Sequence, residues 1–245
     1  MTQRMPCAFV TGMDERAVSP VVVELVGVAG AGKSSIASAL VARDGALRAR
    51  PPVSRRLYWA TVPALLPTFL SLHWPPWAPR GVLTKEMKRI LRVQALHRLV
   101  RSTTDGRTIL FDEGPVYMLA RILVFGGERI RTHAFARWWR SAIAQWAQAF
   151  AAIIWFDASD DVLASRLHTR RQWHPLRGAP DQTVRAFFAS YRDAFRRVLA
   201  DLEAAGGPQP WIVATDRPSV ERTAQAVLAR LHSLRETVIP IPEMA

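Results

Sequence analysis

The chain has 245 residues, 49% of them hydrophobic, enough for one substantial α/β domain and too few for two. One cysteine, Cys7, excludes an intramolecular disulfide and a cysteine-based zinc site. A net charge of +13 calls for an anionic partner (a nucleotide, a phosphorylated substrate, nucleic acid or an acidic membrane) or for solvated arginines spread over the surface.

Residues 1–19 read as a loose tail. They contain Arg4, Asp14, Glu15 and Arg16 and no apolar run, so no secretory signal is expected and a cytoplasmic location is. After Pro20 comes the apolar run Val21–Val26, then Gly27-Val28-Ala29-Gly30-Ala31-Gly32-Lys33-Ser34, then the small and apolar segment Ser35–Val41. Strand, glycine loop and helix in this order are the context of a phosphate-binding loop of the G-x-x-x-x-G-K-[ST] type. Gly27, Gly30 and Gly32 allow the tight backbone that turns Ala29, Ala31 and their neighbours toward an anion, with the helix dipole behind it. Lys33 is suited to the β- and γ-phosphates of ATP, Ser34 to Mg²⁺, and Ser35 continues the cradle. Of 33 basic residues three are lysines, Lys33, Lys85 and Lys88, so a lysine in the loop is not filler.

A short edge strand is expected at 47–50. An insert follows at about 52–83. Within it, Leu57 to Pro79 carries no charge and holds Tyr58, Trp59, Phe69, Trp74 and Trp77. Its prolines, Pro63 and Pro67 among them, argue against a single helix. Three roles stay open for it: a lid lining an acceptor pocket, core or an oligomer contact such as a homodimer, and a peripheral membrane contact. Thr84 is the expected N-cap of a helix running to Arg101, with Lys85, Lys88, Arg89 and Arg92 away from its apolar stripe.

Thr108–Phe111 reads as a buried strand leading to Asp112-Glu113-Gly114-Pro115, and an acid at the end of such a strand serves as Mg²⁺ partner or base. Glu128–Phe150 reads as one long helix, Ala152–Phe156 as the next strand, and Ser159 as the N-cap of a helix that carries Arg166. Arg166, Arg170 and Arg171 lie in a lid, about 166–180, that could close over a triphosphate. In the helix at 182–204, Phe187, Tyr191 and Phe195 recur every fourth residue and are expected in the core. Trp211–Ala214 is the last strand and Ser219–Leu234 the closing helix. The domain spans 20–236, with 237–245 a second tail.

The glycine loop, Ile109-Leu110-Phe111-Asp112, Asp157 followed by Arg166 and Arg170, and Val213-Ala214-Thr215-Asp216 together resemble the thymidylate kinase-like branch of the P-loop nucleoside and nucleotide kinases. The resemblance implies a three-layer α/β sandwich with five parallel strands in the order 2-3-1-4-5. It implies ATP and Mg²⁺ as cofactors, Asp112 as metal-linked acid or base, Arg166 and Arg170 as lid arginines, and the loop with Asp216 and Arg217 beside adenine. Such kinases place an arginine directly after that acid, where this chain has Glu113. The expected activity is ATP-dependent phosphoryl transfer to a small acceptor, nucleoside-, nucleotide- or sugar-like, with Asp112 or Glu113 deprotonating its hydroxyl. Two rivals are an ATPase that uses Asp112-Glu113 on water and a basic membrane- or nucleic-acid-associated switch; nucleic acid itself is not an expected partner of the kinase.

Overall fold

The run Val21–Val26 forms β1, and all six of its residues are buried, which is the environment of a central strand in a parallel sheet. In the computed structural model, which describes residues 19–49, 51–72, 85–170, 174–217 and 219–238, β1 lies between β3 (Thr108–Asp112) and β4 (Phe150–Asp157). Outside them lie β2 (Leu47–Ala49) and β5 (Trp211–Ala214), and every pairing is parallel, in the order 2-3-1-4-5. The sequence expectation for strand order and for a three-layer α/β sandwich therefore holds. The two tails and residues 73–84, including Thr84, Trp74 and Trp77, lie outside the described residues.

Helices cover both faces. α1 (Lys33–Arg43) packs with α8 (Val220–Val238) on one side. The opposite layer holds α3 (Lys85–Ser102), α4 (Pro115–Phe125), α5 (His133–Ala149) and α7 (Asp181–Ala204), with α2 (Arg55–Leu72) packed outside on α3 and α5. α6 (Asp160–Thr169) contacts α7. Trp146 of α5 is fully buried and sits edge-on to Phe111 of β3, ring centroids 6.0 Å apart, and Trp155 of β4 meets Phe195 of α7 at 6.3 Å.

Three expectations are corrected. Pro63 and Pro67 do not break the helix: α2 runs through both. The carbonyls they leave without helical donors are those of Trp59 and Pro63, and Trp59, Pro63 and Pro67 all face outward, where water can serve them. Arg98 of α3 also reaches this stretch, donating to the Ala60 carbonyl at 2.7 Å. The long helix expected over 128–150 is instead a 3₁₀ turn (Gly127–Ile130) followed by α5, because Thr132 starts a new helix by accepting the Phe135 amide at 3.1 Å. Finally, α4 is not among the helices whose extent is expected from the sequence. Six of its eleven residues are buried, so it lacks the polar stripe that marks a helix in sequence. No helix among the described residues is long and apolar enough to cross a membrane, although Trp59, Leu66 and Leu70 are exposed on α2.

The start of α4 rests on a buried carboxyl in β1. Glu24, fully buried, accepts the Val116 and Tyr117 amides at 2.8 and 3.0 Å and does for α4 what an N-cap side chain ordinarily does. Gly114, the N-cap residue, has no side chain because a Cβ there would lie 2.8 Å from the Glu24 Cδ and 2.5 Å from the Phe111 Cβ. Burial pushes the Glu24 carboxyl up to about 8, against the three backbone amides of Tyr117, Val116 and Gly114 that pull it down.

A carboxyl whose folded value lies above its unfolded one contributes stability that is complete below about 4.5 and lost as pH rises through about 8. The shift corresponds to something on the order of 5 kcal/mol over that window. Chemical denaturation at pH 5, 6.5 and 8 should therefore show the wild type losing stability relative to Glu24→Gln as pH rises, whatever the fixed cost of the substitution. Parallel pH profiles for the two proteins would contradict this assignment.

Candidate functional site

At the C-terminal end of β1 the chain turns at Gly27 (φ 149°), where a Cβ would sit 2.3 Å from the Phe156 carbonyl oxygen of β4. Only a bare backbone passes there. Gly32 (φ 84°) then enters α1 in the left-handed conformation. The first intrahelical bond is Ile36 N to Gly32 O, at 3.0 Å, so the amides of Lys33, Ser34 and Ser35 precede the helical ladder. No side chain caps this end and no acid lies in its first turn. The positive end of a helix dipole is where an anion is favoured.

Lys33 is 9% exposed and donates to the Gly27 and Val28 carbonyls at 2.8 and 3.0 Å, lying back across its own loop. Burial pushes its ammonium down, Asp112 and Glu113 raise it, and Arg170 lowers it again. The structure thus brings Lys33, both sequence-predicted acids and one lid arginine within electrostatic reach of one another. Asp112 ends β3, buried, in register with Leu25 of β1. Glu113 follows at φ 68°, the one described non-glycine residue with positive φ, and its exposed side chain lines the central cavity. A left-handed glutamate costs about 1–2 kcal/mol, and such strain collects at functional positions.

Arg166 of α6 ties the glycine loop to the loop after β5. Arg166 donates from Nη2 to the Thr215 carbonyl at 2.7 Å, and from Nη1 to the Thr215 hydroxyl and the Gly30 carbonyl at 3.3 and 3.4 Å. Arg170 lines the cavity. Arg171 lies outside the described residues, and Arg177 is exposed. In the loop after β5, Thr215 lines the cavity, while Asp216 turns away to accept the Ser159 amide at 2.8 Å and Arg217 is exposed. Ser159 occupies the N-cap position of α6 without a side-chain cap bond; Asp216 is what engages its backbone.

One cavity of about 970 Å³ runs through the site. Its near half is the loop from Ala29 to Ile36 with Arg166, Arg170 and Thr215. Its far half is aromatic and cationic: Tyr117, Arg121 and Phe125 from α4, Phe187 and Tyr191 from α7, and His174 from the lid. Glu113 also lines this cavity and bears on both Lys33 of the loop and Tyr117 of α4. Two sequence expectations change here. Among the insert residues whose side chains are described, those up to Leu70, none lines the cavity. Tyr191 and Phe195 are core as expected and Phe187 packs against the core, but Phe187 and Tyr191 also line the cavity. The residues missed are those of α4. Their signal was present in the sequence, Pro115 at the first helical position and Tyr117, Arg121 and Phe125 at four-residue spacing.

With this geometry in view, comparison with known proteins gives one family and one fold. A family model described as an AAA domain matches residues 22–198, well over half of the chain. No curated protein sequence matches. The fold is similar to that of thymidylate kinase from Candida albicans (TM-score 0.53, 13% identity, covering 89% of this chain and 94% of that one). It is similar also to deoxyadenosine kinase from M. mycoides with bound dCTP (TM-score 0.50, 14% identity, covering 87% and 100%). The chain belongs to the AAA domain family and has the P-loop kinase fold.

Proposed function

We propose that this protein is an ATP-dependent kinase that transfers the γ-phosphoryl group to a small acceptor. The observation that carries the reading is the single cavity with a phosphate cradle in one half, an aromatic wall in the other, and Glu113 in contact with the field of both. An ATPase needs room for water only; an aromatic second half has a use when a second substrate must be held.

The amides at the start of α1 and the Lys33 ammonium bind the β- and γ-phosphates, Lys33 exchanging the Gly27 and Val28 carbonyls for phosphate oxygens. Arg170 neutralises charge on the group in flight, and Arg166 does so after leaving Thr215. Glu113 accepts the proton of the acceptor hydroxyl as its oxygen forms the new P–O bond, while the old bond breaks toward the β-phosphate. Among the described residues no group of three or more His, Cys, Asp or Glu could hold a metal by itself, and Mg²⁺ asks for only one or two protein oxygens beside the phosphates. Its ligands here would be the Ser34 hydroxyl, the Asp112 carboxylate and the nucleotide's own oxygens, the hard donors Mg²⁺ prefers. There it would supply charge neutralisation between the phosphates. Thr215 and its neighbours flank the nucleotide, as the likeness to nucleotide kinases suggests.

Two measurements test this reading. With radiolabelled ATP and a panel of hydroxyl compounds, label should pass to an acceptor, and Lys33→Ala should lower transfer about a hundredfold or more; label going to water whatever acceptor is present would favour the ATPase. Asp112→Asn should lose metal-dependent turnover more completely than Glu113→Gln, which should lower kcat by about a hundredfold while the Mg²⁺ requirement is kept. Equal losses in the two variants would shift the assignment to hydrolysis.

A further inference from the structure

The far half of the cavity holds more positive charge than its protein neighbours balance. Tyr117, Arg121 and Phe125 rise along one side of α4, and the Arg121 guanidinium lies 5.7 Å from the Tyr117 ring centroid and 5.8 Å from that of Phe125. From α3, the Arg89 guanidinium lies 5.5 Å from the same Phe125 ring. Two arginines from different helices therefore share one aromatic side chain. Arg121 Nε and Arg89 Nη1 are both buried without a hydrogen-bond partner. Glu86, on Arg89's own helix, is 3.6 Å from Arg89 Nη1, and Arg121 forms no ion pair among the described residues, although it reaches the Tyr117 phenol. Burial and then the neighbouring Arg121 push Arg89 down, and burial, Arg170 and Arg121 push His174 down.

Like charges held together in a partly dry wall cost free energy, which a bound anion would relieve. Arg121 is the member of the pair that lines the cavity. Around it, Tyr117 and Phe187 are half-buried on the cavity, and the edge of buried Tyr191 lies behind Phe187, ring centroids 4.6 Å apart. We propose that the acceptor is an aromatic molecule bearing an oxyanion, a carboxylate or a phosphate monoester, that Arg121 grips while the ring lies against the tyrosines and Phe187. The guanidinium fork suits either group. This inference rests on the reading of the far half as the acceptor site, yet its test does not require turnover.

The probes are phenyl phosphate, benzoate, neutral benzamide and ring-free inorganic phosphate, with binding to the full chain measured by calorimetry. The experiment is run in the wild type and in Lys33→Ala, where the phosphate loop is disabled. In both backgrounds phenyl phosphate, benzoate or both should bind at least tenfold more tightly than benzamide or inorganic phosphate; which of the two is tighter identifies the anionic group. Arg121→Met should abolish the preference while benzamide still binds, and Arg121→Lys should retain part of it, which a general loss of packing would not do. Equal binding of charged and neutral aromatic probes overturns the proposal. So does a preference that survives Arg121→Met or disappears in Lys33→Ala. Failure of ATP to bind the wild type would instead remove the kinase reading and leave this anion site to be judged by its own probes.

Discussion

Two carboxyl oxygens of Glu24, out of reach of water in the central strand, accept the first amides of α4. β1 carries the phosphate loop at its end and α4 carries Tyr117, Arg121 and Phe125, so the two halves of the cavity meet in this one contact. A helix start buried without a partner is costly, and Gly114 leaves no side chain to supply one locally. The glycine exists because the glutamate needs its space. Between that glycine and the buried Asp112, the chain passes through the left-handed turn at Glu113 that puts a carboxylate on the cavity. The positions of both acids thus follow from how β1 and α4 are joined.

The near half is held by a second set of contacts. The Thr215 amide donates to the Asp157 carbonyl at 2.8 Å, fixing the loop after β5 to the end of β4. Arg192 of α7 bridges the same end, donating to the Asp157 and Asp160 carboxylates and to the Ala158 carbonyl. With a side chain 15% exposed, it is an ion pair with hydrogen bonds on all sides, the condition under which a partly buried pair holds its geometry. Phosphoryl transfer asks of a protein mainly position and fixed charge, and these ties supply a stiff frame for both.

Much of this was legible in the chain because backbone geometry leaves few options. Gly27 is demanded by a close strand approach, Lys33 stands out as one of three lysines among 33 basic residues, and the apolar runs of β1, β3 and β4 show at once as strands. What was not legible has physical causes. α4 is apolar on most sides, so it offers no contrast between faces. Phe187 and Tyr191 repeat with core periodicity, and Tyr191 is core; that both also line a cavity does not show in that spacing, because a wall and a core use the same residues. Pro63 and Pro67 read as helix breakers because sequence does not show that the carbonyls they orphan face water. Glu24 is a polar residue inside an apolar strand, and its partners lie in a helix far along the chain.

Arg166 remains as a strut. Its guanidinium reaches Gly30 in the loop after β1 and Thr215 in the loop after β5, spanning the near half from bank to bank. The helix that carries it ends one residue before Arg170. A guanidinium drawn away to an anion would give up its ties to both banks in one movement.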